Sequence, residues 1–433
     1  MHDRLRFFLN RIGERLWVKP LLNCVLSVLW VYVAKLADYT GLAALVPSIS
    51  RGSIETLLSI ISSSMLVIAT FAVASMVSAY ASASTTATPR TFALVIADDS
   101  SQNALSAFIG AFIFGIVALI ALKNGYFGKA GYFALFILTL LVFAIVIITF
   151  VRWVDSIARL GRMGSTVHKA EKATATALRR RRCSPTLGGI AVAPLAPGAQ
   201  TVFSDDIGYV QIVDLAALQT LAEKSRLRIS LTCLPGSFIG PGRPLAQVVP
   251  DAASAAAPPD NAAAPWDVAE IAAAFRVLPE RTFDEDPRFG LIVLAEIASR
   301  ALSPAVNDPG TAIDVIGSLV RLFALWAAPV GDDERSTPQF DRVGVPELAL
   351  RDMFDDAFNP IARDGAANLE VATRLQKAFE SLAATGQGEM QRLSLEHSLR
   401  ALGRAEQELH FEPDRVRLRQ VADRLRRVDS PPY

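Results

Sequence analysis

The chain has 433 residues, 52% of them hydrophobic, and a formal net charge of +1. A mean hydropathy of +0.34 is too apolar for a soluble protein of this length, and the charge is too small for a dedicated nucleic-acid binder. The 3 cysteines, Cys24, Cys183 and Cys233, form neither a CxxC pair nor an even set, which speaks against a disulfide framework or a zinc site and suits a reducing compartment.

Four apolar segments are predicted to span a membrane, at about 17–36, 57–80, 104–122 and 132–154. The last carries no charge from Tyr132 to Val151, and a helix of that length rises about 30 Å, enough to cross the hydrocarbon core. Arg4, Arg6, Arg11 and Arg15 precede the first segment, which is too long and lacks the cleavage pattern of a signal peptide, so it reads as a retained helix. Arginines also follow the fourth segment, so the distribution of basic residues predicts cytoplasmic N and C termini in a bacterial inner membrane, with Lys123 and Lys129 a mild counter-signal. Small residues Ala107, Ala111, Gly115 and Ala118 predict close helix packing, as do the hydroxyls of the second segment. No ionisable residue lies deep in a span, which argues against a proton-coupled pump. The stretch 89–98 is expected to form a short interfacial helix.

Residues 158–182 predict a polar, basic helix continuing the fourth span. Its run Arg179, Arg180, Arg181 and Arg182 is expected to face anionic phospholipid headgroups, with no reading motif for nucleic acid. From 183 to 250 the period becomes that of strands around one helix at 214–224, a small β-rich subdomain. Its Gly-Pro turns at 235–245 share the rhythm of biotinyl- and lipoyl-type barrels but lack the lysine, so no covalent cofactor is expected. An Ala/Pro linker covers 251–265, and residues 266–433 are predicted to form a helical subdomain. The fold class is thus multi-domain: a membrane domain (1–157) with a four-helix transmembrane bundle, then a cytoplasmic α+β region.

The densest polar signal runs from 281 to 311. Asp286-Pro287 and Asp308-Pro309 each pair a capping side chain with proline at the first helical position, predicting two capped helices joined by a tight turn. The second should bury Ile313, Ile316, Val320 and Phe323, and donors near Thr311 suit an anion. A Mg²⁺ or Ca²⁺ site among Asp284, Glu285, Asp286, Glu296, Asp308 and Asp314 is an alternative, although the spacing matches no EF-hand and the four histidines are scattered. Beyond it, apolar stripes predict helices buried through Leu350, Phe354 and Phe358, then Leu375, Phe379 and Leu382, then Leu395, Leu399 and Leu402, then Leu418, Val421 and Leu425.

Pro89, Arg90, Asp98, Gln102 and Gly110, together with Trp17 and Pro20, resemble the membrane half of the bacterial predicted membrane protein family, domain of unknown function 2254 (DUF2254). The resemblance continues through Arg281, Asp286 and Arg288 to Arg300, Ser303, Asn307, Asp308 and Thr311, in the pattern RALSPAVNDPGTA. It implies a layout and no activity. The residues support a non-enzymatic reading best: a cytosolic region that senses a ligand, lipid or partner and biases a bundle, in the form of a homo-oligomeric pore. A scaffold without flux and a metal-assisted enzyme using Asp286 and Asp308 are the alternatives.

Overall fold

The computed structural model describes residues 18–39, 45–86, 88–91, 94, 99–159, 163–192, 198–251, 265–385 and 388–428. The chain divides into two units, Met1–Thr166 and Val167–Tyr433.

The first unit is built from α1 (Val18–Leu36), α2 (Arg51–Thr86), α3 (Asp99–Lys123) and α4 (Lys129–Arg159). Each is long and apolar enough to cross a membrane. Their mutual contacts combine small and aromatic residues with buried aliphatic ones such as Ile54, Leu58, Leu122 and Leu135. The Ser27 hydroxyl of α1 donates to the Gly110 carbonyl of α3 at 2.8 Å, and a Cβ on Gly110 would lie 3.1 Å from Asn23 Cβ. Gly115 packs as closely on Ser62 and the Leu58 carbonyl of α2, as small-residue packing in lipid requires. Trp153 of α4 is buried against the rings of Phe71 (6.2 Å) and Phe108 (6.0 Å). Large apolar side chains such as Val67, Phe71, Ile148 and Val151 are instead exposed, a pattern that suits lipid rather than water. The hydroxyls of Ser62, Ser63, Ser64 and Thr70 all donate to carbonyls of their own helix. Most of the expected interfacial helix at 89–98 lies outside the described residues; Pro89–Thr91 is a single 3₁₀ turn.

A device without a sequence signal closes this unit. The Asp38 carboxylate, just past α1, accepts from the amides of Gly128 and Gly131, both at 2.7 Å, and so caps α4 from 90 residues away. Lys35 stands 3.2 Å from the same carboxylate. Asp38→Ala is expected to destabilise the α1–α4 contact by about 1–2 kcal/mol, read as faster hydrogen exchange in the first turns of α4; unchanged exchange there would contradict the cap.

The boundary at Thr166 falls within α5 (Met163–Cys183), most of which belongs to the second unit; its Ala, Lys, Glu and Arg content favours helix and its basic last turn complements the helix dipole. Strands β1 (Gly189–Ala191), β2 (Gln200–Val202) and β3 (Gly208–Val213) follow, then α6 (Leu215–Ser225), capped by Asp214. Next come β4 (Leu227–Leu231), β5 (Phe238–Ile239) and β6 (Ala246–Pro250), then α7 (Val268–Ala272) and β7 (Phe275–Leu278). Helices α8 (Pro287–Ala301) and α9 (Pro309–Ala327) precede β8 (Phe340–Val345). The chain ends in α10 (Leu350–Asp364), α11 (Leu369–Thr385), α12 (Glu389–Glu408) and α13 (Glu412–Val428).

The strands form a mixed sheet of order β1-β8-β4-β6-β2 and an antiparallel sheet of order β5-β3-β7. Strands β7 and β8 therefore come from the stretch whose periodicity predicts helix alone. They are 4 and 6 residues long, and each is completed only by a distant partner, β3 or the β1 and β4 pair. Leu218 and Ala222 of α6 pack with Ile229, Val248 and Val343 in the core of this layer.

A cluster of Phe323, Phe354, Phe358 and Phe379 holds α9, α10 and α11 together, with ring centroids 4.6 to 5.4 Å apart. Helix α9 is a fifth helix long and apolar enough to span a membrane, but here Val315, Ile316, Leu319, Leu322 and Phe323 are buried among neighbouring helices. Hydropathy alone does not separate a core helix from a spanning one. The buried face is also rotated from the expected one, since Ile313 and Val320 are only half-buried. In α12 the apolar stripe misleads further: Leu399 is exposed, while Ser394, His397 and Ser398 are buried. The two serines can be buried because partners exist: Ser394 donates to the Met390 carbonyl at 2.8 Å and Ser398 to Gln376 Oε1 at 2.5 Å.

His397 has no hydrogen bond at Nε2, which lies 3.5 Å from Asp355 Oδ1, and its ring is 2% exposed. Burial, reinforced by Arg400 and Arg351 and opposed by Asp355 and Glu396, pushes it down to about 4. The unfolded chain takes up this proton near the ordinary 6.5, so stability is full above that pH and falls as pH drops toward 4, by about 3 kcal/mol. Protection factors in α10–α12 should fall over this window, and His397→Leu should flatten the fall; an unchanged slope in that variant would refute the assignment.

Candidate functional site

Both predicted caps form. Asp286 accepts from the Phe289 amide at 3.1 Å at the start of α8, and Asp308 accepts from the Thr311 amide at 3.1 Å and its hydroxyl at 2.6 Å at the start of α9. The Thr311 hydroxyl and amide hold the Asp308 carboxyl below the usual range, and the donors expected to suit an anion are thereby occupied. Between the helices, Ser303 donates to the Arg300 carbonyl at 2.7 Å, Asn307 adopts a left-handed φ of 49°, and the Asp308 amide closes the turn on the Ala301 carbonyl at 2.8 Å. Arg300 is exposed.

Asp286 does more than cap. Arg281 grips it through two bonds, Nε at 2.7 Å and Nη2 at 3.0 Å, with side chains only 16% and 5% exposed. The guanidinium sits over the rings of Tyr209 (5.7 Å) and Phe289 (5.4 Å). Gly236, at φ +93°, brings its backbone so close that a Cβ would overlap the Asp286 carboxylate. Arg288 turns the other way, to Asp352 and Asp356, both at 2.6 Å. Burial raises the Asp356 carboxyl above its ordinary range against the pull of Arg288.

The motif also holds α5. Arg180 pairs with Glu285 at 2.5 Å and donates to the Asp284 carbonyl at 3.0 Å. Arg181, 2% exposed, donates to the Glu285 carbonyl at 3.3 Å, and burial lowers its pKa to about 10 despite Glu285 and Asp286 nearby. Arg182 donates to the carbonyls of Leu325 (2.5 Å), in the last turn of α9, and Pro329 (3.1 Å), just past it. Arg180, Arg181 and Arg182, expected to face lipid headgroups, thus have protein partners, because the loop before α8 and the C-terminal end of α9 offer carbonyls and a carboxylate at the end of α5. Arg179 alone of the run has an exposed side chain without such a contact among the described residues. Higher on α5, Glu171 forms a two-bond pair with Arg321 of α9 (2.6 and 2.7 Å), which holds its carboxyl below the usual range. Thr174 rests on Gly290 of α8, where a Cβ would come within 2.8 Å of Thr174 Cβ and overlap its hydroxyl.

The predicted residues therefore fall into a buried ion pair (Arg281, Asp286), a turn (Ser303, Asn307, Asp308, Thr311) and a brace to α10 (Arg288). The joint they form with α5 leaves no local pattern in the sequence, since Glu171 and Arg321 are 150 residues apart and Thr174 and Gly290 are unremarkable by type. Asp286 and Asp308 are spent on caps and pairing, and among the described residues no three His, Cys, Asp or Glu side chains converge as metal ligands would. In the membrane-half motif, Gly110 and the buried Gln102 lie on α3, Pro89 and Arg90 are exposed, and Asp98 lies outside the described residues.

The profile of a predicted membrane protein family (DUF2254) matches residues 13–381. An uncharacterized protein of Mycobacterium bovis, Mb1321c, is 29% identical over 264 residues, which is 59% of this chain and 47% of that protein. The uncharacterized protein Rv1290c of Mycobacterium tuberculosis matches with the same identity and coverage. The chain thus spans about half the length of the curated relatives it matches. No solved structure matches it. With the family profile covering both the apolar helices and the motif joint, the chain belongs to the DUF2254 family of predicted membrane proteins.

Proposed function

We propose that α1–α4 cross the bacterial inner membrane with both termini cytoplasmic, and that the α+β unit takes up a ligand or partner and passes the change to the spanning helices through α5. The observation that carries this is the joint. Helix α5 is separated from α4 by three residues of chain and is fixed by Glu171, Thr174, Arg180, Arg181 and Arg182 to elements bearing the family motif. A helix held by a two-bond ion pair, a close glycine contact and buried arginines moves with what holds it. The basic residues before α1 and after α4, and the even number of proposed spans, support the orientation. Arg321 on α9, paired with Glu171, supports keeping that helix in the water-facing unit. Assembled as a homo-oligomer, such a bundle acts as a gated pore.

The test is ion flux into liposomes holding the purified full-length protein, measured under voltage, tension and candidate ligands. Flux above that of empty liposomes, altered by Glu171→Gln/Arg321→Gln, supports gating through α5. Flux never exceeding that of empty liposomes removes the pore and leaves a scaffold that signals by partner binding.

A further inference from the structure

Among the described residues of the second unit, clefts between helices handle their charges differently. The larger, about 390 Å³ between α8, α10 and α12, is lined by Asp355, Asp356, Arg363 and Arg404. Each already has a partner: Arg400 for Asp355, Arg288 for Asp356, Asp364 for Arg363 and the Asn359 carbonyl for Arg404. Glu296, which also lines that cleft, is not without a partner either.

The smaller, about 250 Å³, lies between α9, α11 and α13 and is lined by Ile313, Leu369, Glu370, Arg374, Lys377 and Arg417. It carries three cations and one carboxylate. Among the described residues Arg374, Lys377 and Arg417 have no ion pair or side-chain hydrogen bond, although carboxylates are plentiful on the same helices. On α13 the contrast is direct, since Arg415 pairs with Glu412 at 2.5 Å and Arg419 with Glu406 and Glu412. Arg374 and Lys377 stand three apart on one face of α11, a like-charge spacing that Glu370, one turn before Arg374, offsets only in part, since three cations face that one carboxylate. The floor is apolar, formed by Leu369 and by Ile313, the residue that the rotation of α9 leaves half-exposed. Guanidinium and ammonium groups over an apolar floor match a phosphate ester, the guanidiniums giving paired hydrogen bonds and the ammonium a point charge. The volume sits below the range of about 300–1,000 Å³ usual for whole small-molecule ligands, so it suits a head group.

We propose that the cleft between α9, α11 and α13 binds a phosphate-bearing anion, through Arg374, Lys377 and Arg417. Binding here does not depend on the unit driving the spanning helices, so failure of either claim leaves the other standing.

The test uses the purified full-length chain in non-ionic detergent, titrated calorimetrically in separate runs with inorganic phosphate, glycerol 3-phosphate and short-chain phosphatidylglycerol. The native protein should bind at least one of them, and Arg374→Gln/Lys377→Gln/Arg417→Gln should weaken that binding by at least about tenfold. Lys224→Gln, an exposed cation of α6, should leave it unchanged. Binding of inorganic phosphate or glycerol 3-phosphate identifies a free phosphate compound, whereas binding of phosphatidylglycerol alone identifies a lipid head group. The three substituted side chains are exposed, so the variant should keep the native thermal unfolding profile. If it unfolds early, the single variant Arg417→Gln carries the comparison, with an expected loss of about threefold or more. The proposal is overturned if none of the three probes binds, or if the substituted protein binds as tightly as the native one.

Discussion

Asp286→Ala is expected to destabilise the second unit by about 3–5 kcal/mol, because it leaves the guanidinium of Arg281 charged, 16% exposed and without its carboxylate. The loss of the α8 cap adds about 1 kcal/mol. The measurement is the opening free energy of α8 amides by hydrogen exchange in the full-length protein. A buried pair costs most when only one partner is removed. Arg281→Met combined with Asp286→Ser, which keeps a capping oxygen, should therefore cost less than Asp286→Ala alone. A double variant worse than the single one would show that the pair itself, rather than an orphaned charge, sets the penalty.

Gly290→Ala is expected to destabilise as well, against the usual trend. Inside a helix this change ordinarily gains about 1 kcal/mol. Here the new Cβ would overlap the Thr174 hydroxyl and lie within 2.8 Å of Thr174 Cβ, so α5 and α8 must separate. Overpacking of this kind costs about 1–3 kcal/mol. Thr174→Ala in the same chain should recover part of the loss, giving a favourable coupling between the two sites. A Gly290→Ala protein more stable than the native one, with no coupling to Thr174, would remove this contact from the joint.

What the sequence reveals and conceals follows from the range of each interaction. The long apolar runs behind α1–α4 and the Asp-Pro caps of α8 and α9 are local patterns, legible because helix period and capping act within a few residues. Strands β7 and β8 are short and stabilised by partners far along the chain, so their local signal is overruled. The α12 stripe fails because Gln376 satisfies Ser398, allowing polar groups to take the buried face. The arginine run reads as a lipid contact by composition, yet whether a guanidinium meets a phosphate or a carbonyl depends on what folds beside it. Arg281 and Asp286 share one motif, yet Asp284 and Glu285 stand nearer in sequence, so their pairing, like that of Glu171 and Arg321, follows from the fold.

The joint between α5 and the motif helices is tested most directly by hydrogen exchange of amides 167–183 in the full-length protein, native and Asp286→Ala. Protection of α5 equal to that of α8, with both helices opening together in the variant, is the expected result. Rapid exchange of α5 while α8 stays protected, or α5 protection indifferent to the loss of Asp286, would contradict it.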